Sequence, residues 1–164
     1  MVPHAAYGIL GRRMAEIQVR AERRISAPAD RVYRYIADFR EHHQRWLPPA
    51  FSDFRIERGG VGAGTVTHFR VRAGGRTRDY HMQVDEPAPG RVLTETDLNS
   101  SLVTTFTVTP TDGECRVQIE TRWQGARGIG GFFERLFAPR VIRRLYADEL
   151  TRLEQYARAQ STSP

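Results

Sequence analysis

Alternating apolar and polar positions dominate the chain from residue 17 to residue 123. Ile17, Val19 and Ala21 alternate with polar or charged residues, and a period of two is typical of a strand with one buried face. Further strands are predicted at 53–58, 65–73, 79–84, 91–98, 104–109 and 116–123. Turn sequences such as Gly74-Gly75 separate these segments. The pattern predicts an antiparallel meander of about seven strands with one face in water.

Helical spacing occurs at both ends of this meander. Val32, Ile36 and Phe39 predict a short helix after the first strand, and a second short helix is predicted at about 40–46. The longest helix is predicted from about Gly130 to Ala159, with an apolar stripe along one face. Together the elements predict an α+β fold in which a curved sheet of about seven strands wraps around the C-terminal helix. We expect residues 1–14 to be a flexible tail and residues 15–160 to be one domain.

Composition narrows the functional classes. The 164 residues carry a net charge of +6, and all 25 basic residues are arginines spread along the chain, so nucleic acid is not expected as a partner. The single cysteine excludes an internal disulfide, and histidine spacing suits no metal site. Neither a membrane-spanning apolar run nor a secretory signal is evident, so a cytoplasmic location is predicted. No cofactor is predicted.

A helix lying against a concave sheet can leave a space between them, and the inward positions there are mostly apolar with a few polar groups. This combination is typical of small-molecule sites. The candidate ligand-binding residues are Trp46, Thr67, Phe69, Val71, Tyr80, Met82, Thr96, Phe106, Ile119, Thr121, Trp123, Leu145 and Glu149.

Glu149 is the most informative of these residues, because it interrupts the apolar stripe between Leu145 and Leu153. A buried carboxylate without a partner is costly, so Glu149 either faces the cavity as an acid or base or reaches solvent or an arginine such as Arg152. Among the histidines, the adjacent pair His42 and His43 could line a cavity mouth. His68 and His81 fall on the predicted outer face, unless the register is shifted by one residue.

Three segments carry a resemblance to a known family. They are Ile25-Ser-Ala-Pro-Ala-Asp-Arg-Val-Tyr-Arg-Tyr-Ile-Ala-Asp38 with Trp46-Leu-Pro48, the turns Gly62-Ala-Gly64 and Pro87-Ala-Pro-Gly-Arg91, and Phe132-Phe-Glu-Arg-Leu-Phe-Ala-Pro139 with Leu150-Thr-Arg-Leu153. Over about residues 17–158 the chain resembles the START/SRPBCC superfamily, in its polyketide cyclase/dehydrase and lipid-transport branch. The resemblance implies a helix-grip fold and a hydrophobic ligand, but it transfers no catalytic residue.

Three functions stay open on the sequence. The first is binding of a lipid, polyketide or isoprenoid-like molecule in the cavity. The second is a polyketide cyclase or dehydratase, for which Glu149, Tyr80 and a misregistered histidine are the acid or base candidates. The third is a partner-binding module like the coenzyme-Q-binding or ribosome-associated members of the superfamily. A homodimer is compatible with each of them.

Overall fold

The computed structural model describes residues 16–125 and 128–161, and its elements follow the predicted order. The strands and helices are β1 (Glu16–Ile25), α1 (Ala29–Ala37), α2 (His43–Trp46), β2 (Phe51–Arg58), β3 (Val66–Ala73), β4 (Arg76–Ala88), β5 (Val92–Asp97), β6 (Val103–Thr111), β7 (Glu114–Gln124) and α3 (Gly128–Ser161). The predicted tail at 1–14 lies outside the described residues, and so do the side chains at 126–137.

The seven strands form one antiparallel sheet in the order β1-β7-β6-β5-β4-β3-β2. Strands β2 to β7 each pair with the next strand in the chain. Strand β1 pairs with β7 instead of β2, because α1 and α2 carry the chain from β1 to β2 at the opposite edge of the sheet. The β3–β4 turn needs left-handed backbone at both central residues, and Gly74 (φ 58°) and Gly75 (φ 75°) supply it. The predicted meander is therefore confirmed.

Helix α3 covers the inner face of the sheet and runs through Pro139 without ending there. Its C-terminal half packs mainly against β1, and Leu150, Leu153 and Ala157 are almost completely buried in the main core. Helix α1 lies across β6 and β7 and covers the sheet near the C-terminal half of α3. The curved sheet around a long C-terminal helix, with two short helices after β1, is the helix-grip fold. No helix in the described part of the chain is both long and apolar enough to cross a bilayer.

The sidedness predicted for β5 is wrong. Sequence alternation placed Thr96 inside and Glu95 outside, whereas Thr96 is exposed and Glu95 is buried. Directly paired residues of neighbouring strands share a face of the sheet. Glu95 pairs with Thr104, and Leu93 pairs with Phe106, and both β6 residues point inward. The register with β6 therefore determines the orientation of β5, although this orientation buries acids.

Candidate functional site

A cavity of about 100 Å³ lies between α3 and strands β2 to β7 of the sheet. Its lining is mostly apolar. At one end, here called the closed end, the lining side chains are buried: His43, Phe69, Met82, Glu95, Thr104, Phe106, Thr121, Tyr146 and Glu149. At the other end, here called the mouth, they are half-exposed: Leu47, Phe51, Phe54, Val71, Ala73, Tyr80, Leu102, Ile142 and Leu145.

Glu149 reaches the closed end from α3. The residue is only 3% exposed, and its Oε2 atom has no hydrogen-bond partner. Desolvation and the nearby Glu95 raise the pKa of the Glu149 carboxyl well above its usual value. The predicted alternative of a pair with Arg152 is wrong, because Arg152 binds Asp148 at 3.2 Å. Glu149 is therefore a buried carboxyl facing the cavity.

Glu95 reaches the closed end from β5, on the sheet side. Burial raises the pKa of Glu95 to about 7. The Nε2 atom of His43 lies 4.0 Å from the Oε1 atom of Glu95. Since the Nδ1–H group of His43 donates to the Ile36 carbonyl at 2.7 Å, Nε2 is the free acceptor of the neutral ring. Burial also lowers the pKa of His43 to about 4, so the contact is not an ion pair at neutral pH.

Three hydroxyl groups complete the polar part of the closed end. Thr104 Oγ1 and Thr121 Oγ1 are 2.8 Å apart, and Thr121 also hydrogen-bonds the Tyr146 hydroxyl. The chain of hydroxyls connects β6 and β7 with α3. Burial raises the pKa of Tyr146, so the phenol stays neutral and can donate or accept a hydrogen bond. The closed end thus combines two carboxyls, a neutral imidazole and a hydroxyl network.

Aromatic side chains form much of the remaining wall. The rings of Phe54 and Phe69 are stacked with their centroids 5.5 Å apart, and Tyr80 lies 5.8 Å from Phe69. At the closed end, Phe39 stacks on the His43 ring at 4.3 Å and holds it in place. The wall can therefore accept the faces and edges of an unsaturated ligand.

The predicted ligand-binding residues fall into two groups. Eight of them line the cavity: Phe69, Val71, Tyr80, Met82, Phe106, Thr121, Leu145 and Glu149. The other five do not: Trp46, Thr67, Thr96, Ile119 and Trp123. Trp46 packs in the core and donates its indole N–H to the Tyr35 carbonyl at 3.0 Å. Thr67, Ile119 and Trp123 are buried away from the cavity, and Thr96 is on the outer face.

Sequence reasoning missed Glu95 and understated His43. His43 was expected at the mouth, whereas it lies at the closed end. Glu95 follows the buried Leu93 by two residues, and that spacing was the available signal. His68 and His81 are on the outer side as predicted, where His81 Nε2 contacts Glu57 at 2.6 Å. Within 16–125 and 128–161, no group of three or more potential ligands is placed to hold a metal ion.

Fold and cavity together define a helix-grip protein with an internal, acid-containing pocket. A family model described as polyketide cyclase / dehydrase and lipid transport matches residues 16–158. The chain therefore belongs to that family, within the SRPBCC superfamily. No curated protein matches the chain significantly by sequence.

Solved structures agree with this family. The NMR structure of KanY protein has 33% identity and a TM-score of 0.78, covering 88% of this chain and 99% of its own. The Zhui aromatase/cyclase from Streptomyces sp. R1128 has 17% identity and a TM-score of 0.76, covering 91% and 98%. Norcoclaurine synthase from Thalictrum flavum, in complex with dopamine and hydroxybenzaldehyde, has 16% identity and a TM-score of 0.67, covering 100% and 98%. For the aromatase/cyclase and norcoclaurine synthase, at 17% and 16% identity, the likeness concerns the fold alone.

Proposed function

We propose that this protein binds a small molecule with an apolar, ring-sized body and one polar group, inside the cavity between the sheet and α3. The observation that carries this proposal is an apolar cavity whose closed end contains a buried, unpartnered oxygen, Glu149 Oε2. An unsatisfied buried polar atom costs about 1–3 kcal/mol. A ligand that supplies a partner to this atom would remove that cost.

The dimensions favour a compact ligand. An apolar cavity of about 150 Å³ can hold benzene, and the cavity here, at about 100 Å³, is smaller. A single ring would therefore fill it and extend into the half-exposed mouth, and a long acyl chain would exceed it. The dopamine and hydroxybenzaldehyde named for the norcoclaurine synthase structure are ligands of this size and type.

The test is a titration with 2-phenylethanol, observed by saturation-transfer NMR, in the wild type and in two matched variants. Leu145→Trp fills the mouth, whereas Arg144→Trp places the same side chain at the neighbouring exposed position. We expect binding to the wild type and to Arg144→Trp, and a loss of at least tenfold in Leu145→Trp. Absence of binding to the wild type, or equal binding to the two variants, would refute the proposal.

A second candidate function is acid–base catalysis of the cyclase or dehydratase type. Glu95 favours it, because a carboxyl with a pKa of about 7 is half ionised near neutral pH and can act as a general base. The ionised Glu95 would take a proton from the carbon next to a carbonyl. The protonated Glu149 would donate a hydrogen bond to the carbonyl oxygen as negative charge develops there.

Deuterium exchange tests this second candidate without knowledge of the natural substrate. In D₂O, 4-phenyl-2-butanone should exchange the protons next to its carbonyl faster with wild-type protein than in buffer. Glu95→Gln should remove the acceleration, whereas Asp85→Asn, which changes an exposed acid of β4, should retain it. An exchange rate equal to that in buffer would leave ligand binding as the function.

The partner-binding alternative, the homodimer and the cytoplasmic location stay predictions. They are independent of the cavity, and none of them is needed for the function proposed here.

A further inference from the structure

Two carboxyls line the closed end from opposite walls. Glu95 comes from β5 and Glu149 from α3, and their residues are 6% and 3% exposed. Each lines the same cavity, and the charge of Glu95 acts on Glu149. Buried acids are rare unless they are paired. The pair is therefore costly for the empty protein, and Glu149 Oε2 has no hydrogen-bond partner.

The other polar groups of the closed end do not neutralise these acids. The His43 ring is neutral, because its Nδ1–H group is used by the Ile36 carbonyl and burial disfavours the charged form. The hydroxyls of Thr104, Thr121 and Tyr146 bind one another. No arginine is among the lining residues in the part of the chain that the structure describes, although the whole chain carries a net charge of +6.

These features discriminate between ligands by charge. An anionic group would add a third acid to a site of low dielectric, which is strongly unfavourable. A neutral hydroxyl can satisfy Glu149 Oε2 but leaves the acids uncompensated. An ammonium group offers three N–H donors and a positive charge, and so it can bind both carboxyls. The Phe69 and Phe106 rings in the wall add favourable cation–π or ring contacts.

We propose that the cavity binds a protonated amine carried on a single-ring apolar body, with the ammonium group held between Glu95 and Glu149. This inference rests on the proposed function, because it specifies the polar group of that ligand. The amine enters past the half-exposed residues of the mouth, and its ring remains among the aromatic side chains.

Proton linkage supplies an independent signature. The titratable groups that line the cavity with Glu149 are Glu95 from β5, Tyr80 from β4, His43 from α2 and Tyr146 from α3. The exposed Asp148, next to Glu149 on α3, also acts on its charge. In the empty cavity Glu149 holds its proton, because desolvation disfavours the charge. An ammonium ion binds the ionised form, so its binding releases a proton and strengthens as the pH rises. A neutral alcohol gains nothing from ionisation of Glu149.

The experiment compares three probes of similar shape: 2-phenylethylamine, 2-phenylethanol and phenylacetate. Titrations by NMR at pH 5.5, 6.5 and 7.5 use the full chain. We expect the amine to bind at least tenfold more tightly than the alcohol at pH 7.5, and its affinity to rise severalfold from pH 5.5. Phenylacetate should not bind detectably.

Variants assign the effect to the two acids. Glu149→Gln and Glu95→Gln should each weaken amine binding at least tenfold and change alcohol binding by less than threefold. Asp85→Asn, an exposed acid on β4 that does not line the cavity, should leave both affinities within twofold. Alcohol binding that equals or exceeds amine binding would overturn this inference while the proposed function stands. If no probe binds, the proposed function fails, and this inference fails with it.

Discussion

The two halves of the space beneath α3 are built from the same helix face and the same sheet, yet they are filled differently. In the packed half, α3 lies against β1, and Leu150, Leu153 and Ala157 are at most 1% exposed within the main core. In the cavity half, Leu145, Tyr146 and Glu149 face aromatic rings and leave a void of about 100 Å³. One continuous stripe on α3 therefore serves both packing and a site.

The contrast separates a region that stabilises this fold from a region that lowers its stability. Aliphatic side chains in the packed half interdigitate at high density. Rings and hydroxyls in the cavity half enclose a space, and two acids are buried there without cationic partners among the described lining residues. Functional sites commonly carry such local costs. The predictions below test this division, beginning with the largest effect.

Truncating a leucine should cost much more in the packed half than in the cavity half. Leu153→Ala should lower the free energy of unfolding by about 2–5 kcal/mol, because it opens a new cavity in a dense core. Leu145→Ala should lower it by only about 1 kcal/mol, because Leu145 is half-exposed beside an existing void. Urea denaturation measures both values, and equal losses would mean that the two halves are packed alike.

The buried acid Glu95 should make stability depend on pH. Its pKa is raised to about 7 in the folded protein, from 4.5, so the folded state binds more protons than the unfolded chain in that interval. Its contribution to stability is complete below pH 4.5 and is lost as the pH rises through 7. The stability of the wild type relative to Glu95→Gln should therefore fall between pH 4.5 and 8, by at most about 3 kcal/mol.

His43 makes the stability of the protein depend on pH in the opposite direction. Its effect cancels when the wild type is compared with Glu95→Gln. The pKa of His43 is lowered from 6.5 to about 4, so its contribution is present above pH 6.5 and is lost as the pH falls through 4. Because both proteins contain His43, this trend cancels in their difference. A difference that stays constant with pH would mean that Glu95 is not desolvated.

Replacing Glu149 by leucine should stabilise the protein. The change removes a buried carboxyl oxygen that has no partner, and we expect a gain of about 1–3 kcal/mol in the free energy of unfolding. The matched change Glu154→Leu, one residue beyond Leu153 on α3, should give no gain, because Glu154 is bound to Arg23 and Arg158. Thermal unfolding of the two variants checks this, and destabilisation by Glu149→Leu would contradict it.

The smallest effect is expected on the outer face of β5. Thr96→Ala should change stability by less than about 0.5 kcal/mol, as is usual for exposed positions, and should leave probe binding unchanged. Glu95→Gln, one residue away, should alter both properties. An effect of Thr96→Ala on binding would support the original sequence-based orientation of β5.

The architecture was largely predictable from the sequence, because strand and helix periods are strong where one face is buried. The alternation in β1, β3, β4, β6 and β7 and the stripe on α3 predicted the fold and eight of the lining residues. Prediction failed for β5, where Thr94 and Thr96 suggest one inward face and the true inward face carries acids. Burial of Glu95 depends on the register between β5 and β6, in which Glu95 pairs with Thr104, and the residue types within β5 do not specify that register.

The closed end was the least predictable part. Alternation along the last strand predicts that Ile119 and Trp123 face inward, and the position of Trp46 after the short helix predicts a place at the opening, but none of the three lines the cavity. Periodicity identifies the inner face but not the division between core and cavity along a strand. That division depends on how far α3 lies from the sheet at each level.

Methionine methyl NMR tests the central claim most directly. Of the three methionines, Met82 lines the cavity and the other two, Met1 and Met14, lie in the predicted tail. In protein labelled with ¹³C at the methionine methyl groups, with Met82→Leu used for assignment, saturating 2-phenylethanol should shift the Met82 signal and leave the other two in place. An unmoved Met82 signal under saturation would place the ligand elsewhere and contradict a binding site between the sheet and α3.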